Sequence, residues 1–328
     1  MREVGAHVRT ARRVQEDAFA WLSAHREGFA LGADALSPDG TVNGSWKPLG
    51  ELALVCTSVS RCTPPSDPLH APVGDLLDYA WRQTGQGELL ARLQRLEPFA
   101  TYPLEVYAAF ASAGLRHAEY EAAAATVARS RGWRLAEQDP TRRLGVLAAE
   151  RRIGVLRPED VPGSLGRTWL GGLPEPWTFE RFSGYALTHV VFHLTDWGRD
   201  PAGLPAELRT YLAYWLPAWL DTCLEAGMWD LSCELLAVAA NLPQPLDPVS
   251  AGDAWDRIAA ARHPTGALRE ERPPGPASAT STEYEPDFAH CYHSTLMAAF
   301  AAALTAAQHR ADDGTTGPYD DGLEGALR

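Results

Sequence analysis

The chain has 328 residues, of which 45% are hydrophobic and 22% are charged, and these proportions are typical of a folded globular protein. Its formal net charge of -13 argues against nucleic acid or an anionic membrane surface as a partner, because both require clustered positive charge. Every apolar run is shorter than the roughly 20 residues that span a bilayer, and the N-terminus lacks the apolar segment of a signal peptide. We therefore expect a cytoplasmic protein.

The cysteine and tryptophan contents bear on the redox environment and on the core. Five cysteines are an odd and small number for this length, so we expect reduced thiols and not a disulfide framework. Eleven tryptophans are many, and seven of them lie between Trp169 and Trp255. Large aromatic side chains concentrated in one half of the chain predict an aromatic-lined core or cavity there.

Apolar residues recur with helical spacing along most of the chain. The predicted helical segments cover residues 4–26, 49–62, 73–96, 104–130, 140–152, 178–197, 205–226, 229–242, 251–262 and 287–308. We expect segment 73–96 to contain one or two helices, and Pro217 to kink its helix or to mark a boundary. No segment shows convincing strand alternation. The sequence therefore predicts an all-α fold of about 11–12 helices.

A helix, a glycine turn and a second helix follow one another twice in the chain. The first such unit turns at Gly114 and the second at Gly227, which indicates repeated helical hairpins. Hairpins in series either stack as an open solenoid or close into a ring of inner and outer helices around a central cavity. Because a ring of about twelve helices suits this length and explains the apolar middle helices, we predict an α/α toroid.

We expect the chain to form one toroid domain over residues 1–308. Residues 263–285 are polar and rich in proline, serine and threonine, and this composition predicts a mobile loop within the domain. Residues 309–328 are acidic and glycine-rich, which predicts a flexible tail.

The segment 178–197 carries the densest group of chemically active side chains. His189 and His193 are one helical turn apart, and Asp196 lies three residues further on. On a continuous helix all three share one face, which can bind a metal ion or transfer a proton, with Asp196 orienting a histidine or acting as a third ligand. Alternatively, the histidines hydrogen-bond to neighbours in a packed core and Asp196 caps the helix end.

Two further groups combine such side chains at helical spacing. His290 and His293 share a face at the start of the last helix, whereas Cys291 points roughly 100° away. The dipole at a helix N-terminus lowers the pKa of a thiol, which makes Cys291 the candidate reactive cysteine. Asp230 and Cys233 lie three residues apart at the head of a hairpin helix.

These groups could together hold a zinc ion, because zinc favours cysteine, histidine and carboxylate ligands. The candidate metal ligands are His189, His193, His290, His293, Asp230 and Cys233. The chain contains neither a Cys-x-x-Cys pair nor the His-Glu-x-x-His motif of metalloproteases. Three interpretations stay open: a site for zinc or another transition metal, a metal-free pocket for binding or acid–base chemistry, and purely structural histidines.

Two features of the sequence carry a first resemblance. They are the closing Cys-Tyr-His helix and the segment Leu187-Thr-His-Val-Val-Phe-His-Leu-Thr-Asp-Trp-Gly198. Together with the hairpin layout, they resemble an uncharacterised family of actinobacterial proteins of unknown function. This resemblance covers most of the chain and implies no activity.

A second resemblance is carried by the segment Asp287-Phe-Ala-His290. It is similar to the Asp-Phe-Tyr-His segment of protein prenyltransferase β subunits, terpenoid cyclase-like α/α toroids in which a histidine, an aspartate and a cysteine bind zinc. The resemblance implies His290 as a ligand, with Asp230 and Cys233 as partners. In that family one residue separates the aspartate from the cysteine, whereas two do here. The similarity therefore favours a toroid more than prenyl transfer.

The expected function is that of an enzyme of specialised metabolism. Its tryptophan-lined central cavity would hold an apolar or aromatic small molecule or a modified peptide, with the polar groups as metal ligands or as general acid and base. The alternative is a helical-repeat binding or regulatory protein without catalysis. An enzyme should turn the polar groups toward one enclosed point, whereas a scaffold should scatter them. Nothing in the sequence indicates an oligomeric state.

Overall fold

The computed structural model describes residues 5–37, 44–158, 160–272 and 286–312. Within these ranges the protein is helical and contains no β-strand, so the all-α prediction is confirmed. The fourteen α-helices of the described chain are α1 (Ala6–Ala24), α2 (Trp46–Cys62), α3 (His70–Gln83), α4 (Glu88–Leu96), α5 (Tyr102–Ser112), α6 (Ala118–Ala128), α7 (Arg131–Leu135), α8 (Pro140–Arg152), α9 (Asp160–Leu165), α10 (Arg181–Leu194), α11 (Ala206–Ala226), α12 (Trp229–Ala239), α13 (Pro248–Ala261) and α14 (Phe288–Asp312).

The helix number exceeds the prediction by two, because the short helices α7 and α9 lie outside the predicted helical segments. Segment 73–96 divides into α3 and α4, which is one of the two outcomes expected for it. None of the helices in the described ranges combines the length and the apolarity that a membrane span requires.

Local sequence signals set several helix ends. Asp139 and Asp247 each precede a proline that opens a helix, and their carboxylates accept hydrogen bonds from backbone N–H groups in the first turns of α8 and α13. Gly227, with a φ of 70°, takes the left-handed conformation that ends α11 and leads into α12. Pro217 lies inside α11, so the boundary considered there does not occur.

The helices pack against one another in a regular order. α2 contacts α5, and contacts then run from α5 to α8, from α8 to α10, from α10 to α12 and from α12 to α14, which contacts α2 in turn. Around these helices, α1 packs on α13 and α14, α3 on α2, α9 on α8, and α11 on α12. α12 is buried at every residue, so it is covered on all sides, and its two carboxylates, Asp230 and Glu234, are buried with it.

The connection between α13 and α14 is held against two helices. The backbone N–H of Asp230 in α12 donates to the carbonyl of Glu270, and the N–H of Leu268 donates to the hydroxyl of Thr295 in α14. Residues 263–272, which belong to the predicted mobile loop, are therefore tied to the helices beside them. The rest of that predicted loop and most of the predicted tail lie outside the described residues, at 273–285 and 313–328.

The end of α10 depends on a close approach by Gly203. A Cβ atom at this position would overlap the carbonyl oxygen of Leu194, a backbone atom that cannot rotate away. We expect Gly203→Ala to force a backbone shift and to lower the free energy of unfolding by about 1–3 kcal/mol. Urea denaturation measures this loss.

Gly252→Ala is the matched control, because a Cβ at this position of α13 would meet no described atom within 4 Å. We expect this substitution to leave the free energy of unfolding unchanged or to raise it by up to about 1 kcal/mol. Equal stability of the two variants would contradict the packing of Gly203 against α10.

Candidate active site

A cavity of about 1290 Å³ lies where the N-terminal turns of α2, α5, α8 and α14 meet, and residues of α10 and α12 also line it. Ligand pockets measure about 300–1,000 Å³, so this cavity is large enough for a drug-sized molecule. The aromatic side chains that line it are Trp46, Tyr102, Trp169, Tyr185, Trp197, Phe288 and Tyr292. Only Trp169 and Trp197 of the tryptophan-rich stretch are among them in the described chain, so the tryptophan count indicated the cavity only in part.

His293, in the second turn of α14, lies among three carboxylates on one wall of the cavity. Its Nδ1 is 3.1 Å from Oε2 of Glu51, which α2 supplies. Its Nε2 is 3.4 Å from Oε1 of Glu234 and 3.6 Å from Oδ2 of Asp230, which are one turn apart on α12. We call these four residues the carboxylate–histidine cluster. Three helices therefore meet at a single imidazole.

Hydroxyl groups of α10 hold the two carboxylates of α12. Tyr185 donates a hydrogen bond of 2.8 Å to Oδ2 of Asp230, and Thr188 donates one to Oε2 of Glu234. The other oxygens, Oδ1 of Asp230 and Oε1 of Glu234, are buried, and no described residue gives them a hydrogen bond of good geometry. Buried polar atoms normally have partners, so these two oxygens mark an unsatisfied position.

Burial and mutual charge shift the acidity of the cluster. Burial raises the pKa of Asp230 to about 6, with the charge of Glu234 adding to this and that of His293 opposing it. Burial acts to lower the pKa of His293, but the charges of Asp230 and Glu51 outweigh it and raise that pKa well above its ordinary value. Burial likewise acts to raise the pKa of Glu51, but His293 and Lys47 hold it below its ordinary value. The cluster therefore has an excess of negative charge around one imidazolium.

A second polar wall consists of His189, His193 and Glu105. The two imidazole rings are 6.2 Å apart between centroids, and both line the cavity. Burial, together with the neighbouring His189, lowers the pKa of His193 well below its ordinary value, so His193 is neutral. Burial raises the pKa of Glu105, which pairs with Arg142 at 2.8 Å. The second wall thus carries less charge than the carboxylate–histidine cluster.

Each of the three groups predicted from the sequence supplies part of this site. His189 and His193 of the first group and His293 of the second line the cavity, and Asp230 of the third belongs to the carboxylate–histidine cluster, one turn before Glu234. At least one side chain of each group therefore lies at this site.

Asp196 does not share the face of the two histidines, contrary to the prediction. α10 ends at Leu194, and Asp196 has a φ of 50°, in the left-handed region. Its carboxylate instead forms a buried ion pair with Arg152, at 2.6 Å. The expectation was wrong because the helix stops before the third position of the pattern.

The zinc ligand set implied by the prenyltransferase resemblance is not assembled. The side chain of His290 is 68% exposed and bonds to Asp287 at 2.6 Å, on the outside of the molecule. Cys291 and Cys233 are buried in the apolar core, and burial raises the pKa of the Cys233 thiol well above its ordinary value. Because Cys291 points into the core, its place at a helix N-terminus does not make it an accessible nucleophile.

Three carboxylates of the site, Glu51, Glu105 and Glu234, were not predicted from the sequence. A signal for Glu234 exists, since it is the single charged residue between Asp230 and Asp247 and lies one turn after Asp230. A carboxylate alone in an apolar helix points to a buried, paired position. Glu51 gives no such signal, because it follows Lys47 by one turn like an ordinary surface pair.

These features define the class of the protein: an all-α protein with a buried carboxylate–histidine cluster on the wall of an aromatic-lined cavity. The chain belongs to the family described as a domain of unknown function, DUF6895, whose family model matches residues 15–303. The matched range includes every residue of both polar walls. Neither a curated protein nor a solved structure matches the chain. The predicted membership in an uncharacterised family is thus confirmed.

The buried ion pair between Asp196 and Arg152 gives a stability prediction. Burial acts to raise the pKa of Asp196, but the neighbouring Arg152 outweighs it and holds the pKa below its ordinary value. The ion pair therefore stabilises the fold at neutral pH and loses this contribution as the pH falls below about 4. We expect Asp196→Asn to lower the free energy of unfolding at pH 7 by about 3–5 kcal/mol, because it leaves Arg152 buried without its partner.

Chemical denaturation at pH 7 and at steps down to pH 3 measures this difference, which should shrink at the acid end. Asp253→Asn is the control, since it removes an exposed ion pair with Arg257 on α13 and should cost less than about 0.5 kcal/mol. A loss for Asp196→Asn no larger than that of the control would contradict the buried ion pair.

Proposed function

We propose that this protein is an enzyme that binds a small organic molecule in the aromatic-lined cavity and transfers a proton to or from it. One observation carries the proposal: carboxylates and imidazoles from α2, α5, α10, α12 and α14 converge on the walls of one cavity. Such a grouping contributes little to stability, because each ion that leaves water costs several kcal/mol. Ionisable groups with strongly shifted pKa values in a cavity are typical of catalytic sites.

His189 is the residue that we assign to proton transfer. Its Nδ1 lies 2.6 Å from the carbonyl oxygen of Tyr185, so the neutral ring carries its proton on Nδ1 and keeps Nε2 as the acceptor. The ring is half-buried on the cavity wall, where a positive charge on it would act to lower the pKa of both Glu105 and Glu234. These two carboxylates would stabilise the imidazolium that forms when His189 takes a proton.

The lining of the cavity indicates the class of substrate. Aromatic side chains from four helices favour an apolar or aromatic body, which they can bury and stack upon. The two polar walls favour at least one group that can hydrogen-bond or ionise. A small molecule of this kind, or a modified peptide that presents an apolar or aromatic side chain, fits both requirements.

We also propose that the six helices α2, α5, α8, α10, α12 and α14 form the inner ring of an α/α toroid. The order of helix contacts supports this arrangement, because it proceeds from each of these helices to the next and returns to α2. The first turns of α2, α5, α8 and α14 all face the cavity, as expected for inner helices that run parallel. In this arrangement the active site lies at one mouth of the ring.

Turnover by the wild type and by His189→Gln tests the proposed activity. Each protein is incubated with pooled small organic compounds that carry an apolar or aromatic body and a polar group, and depletion is followed by mass spectrometry. We expect the wild type to convert at least one compound and His189→Gln to convert it about 10²–10⁴-fold more slowly. Binding of that compound, measured by calorimetry, should change little.

His290→Gln serves as the control, because this exposed side chain lies outside the cavity and its loss should leave turnover unchanged. Compounds that bind to the wild type and are never converted would contradict the proposed activity and favour the binding protein. Equal turnover by the wild type and His189→Gln would remove His189 from the mechanism.

A further inference from the structure

We propose that Asp230, Glu234 and His293 bind one divalent transition-metal ion. Each residue offers one ligand atom, and these atoms all lie within 4.8 Å of one another. The site adjoins the proposed active site, and the role of the ion in catalysis rests on the proposed function. Metal binding itself can be measured whether or not the protein turns over a substrate.

The separations of the two carboxylates from His293 are those of ligands in one coordination sphere. Nε2 of His293 lies 3.4 Å from Glu234 and 3.6 Å from Asp230. Ligands about 2.0–2.2 Å from a metal ion in tetrahedral or octahedral geometry lie roughly 3.0–3.6 Å from one another. The two separations from His293 fall within or at the edge of this range, and the separation between the two carboxylates is at most 4.8 Å, so binding one ion requires the side chains to draw together.

His293 alone is a poor counterion for the two carboxylates of α12. Hydrogen bonds between an imidazolium and a carboxylate measure about 2.7–2.9 Å, and both separations here are longer. Oδ1 of Asp230 and Oε1 of Glu234 are also buried without a hydrogen bond from the described chain. These residues are only 3% and 1% exposed, so a cation bound by the two carboxylates would supply the partner that Oε1 of Glu234, beside His293, does not have in the protein.

The groups around the three ligands are those that metal sites use to orient ligands. Glu51 accepts a hydrogen bond from Nδ1 of His293, so a ring that releases its Nε2 proton to make way for a metal ion directs the Nε2 lone pair toward Asp230 and Glu234. Tyr185 and Thr188 donate to the carboxylate oxygens of the same two residues. Every proposed ligand therefore has its own orienting partner.

The donor set selects the kind of ion. Two carboxylate oxygens and one imidazole nitrogen suit Mn²⁺, Fe²⁺ or Zn²⁺ better than Ca²⁺ or Mg²⁺, which prefer oxygen ligands alone. Glu234 and His293 line the cavity, so the remaining coordination positions face the space where a substrate would bind. There an ion would polarise a carbonyl or hydroxyl oxygen of the substrate.

Calorimetric titration of the chelator-treated full chain with Mn²⁺, and separately with Zn²⁺, tests the site. We expect one ion per chain, and we expect His293→Gln to weaken binding at least 100-fold. Glu51→Gln should weaken it about 10–100-fold, because it removes the group that orients the histidine. His290→Gln is the matched control, since it changes an exposed histidine of the same helix and should leave the affinity unchanged.

A second measurement on the wild type does not depend on the folding of any variant. Pulsed electron paramagnetic resonance of bound Mn²⁺ should detect one directly coordinated nitrogen. The absence of that nitrogen, or the failure of both Mn²⁺ and Zn²⁺ to bind, would overturn the proposed site. A metal affinity that is unchanged in folded His293→Gln would also overturn the proposed site.

The two proposals can fail separately. His189→Gln should bind the ion like the wild type while losing turnover, because His189 is not a proposed ligand. Turnover by a wild type that binds no metal would overturn the metal site and leave the proton-transfer proposal standing. Metal binding by a wild type that converts no compound would overturn the proton-transfer proposal and leave the metal site standing.

Discussion

The arrangement of the central helices depends on one electrostatic constraint, the packing of three carboxylates, two of them buried and one partly buried, around a single imidazole. Glu51, Asp230 and Glu234 would repel one another without His293, and removing each from water costs several kcal/mol. The cluster is tolerable only because α2, α12 and α14 hold it at fixed distances and because α10 supplies hydroxyl donors. The apolar packing of these helices offsets the cost of a polar group that gives no stability of its own.

Histidine is charged on one wall of the cavity and neutral on the other. His293 is surrounded by carboxylates, which raise its pKa and keep it charged. His193, next to another histidine and near two arginines, is kept neutral by burial and by these positive neighbours. The number and sign of the neighbouring charges, and not the imidazole itself, decide which wall carries charge. A molecule between the walls would thus meet one strongly polar face and one weakly polar face.

The sequence predicts those features of the fold that depend on neighbouring residues. Helical periodicity, the Asp-Pro pairs at 139 and 247 and the turn at Gly227 all act within a few residues, and the structure agrees with them. The pairing of His189 with His193 is equally local. Asp196 was misplaced because α10 ends at Leu194 and Asp196 takes a left-handed backbone conformation, which a residue other than glycine does not signal in the sequence. Glu51 was missed because its partner is 242 residues away, a separation at which periodicity carries no information.

That long separation also determines when the cluster can form during synthesis of the chain. Glu51 on α2 and His293 on α14 are 242 residues apart, so the carboxylate–histidine cluster cannot form until both residues have left the ribosome. A linear stack of hairpins could mature repeat by repeat during synthesis. The carboxylate–histidine cluster cannot, because it forms only when α14 packs against α2 and α12. Any ligand of the cluster therefore finds its site only after α14 has packed against α2 and α12.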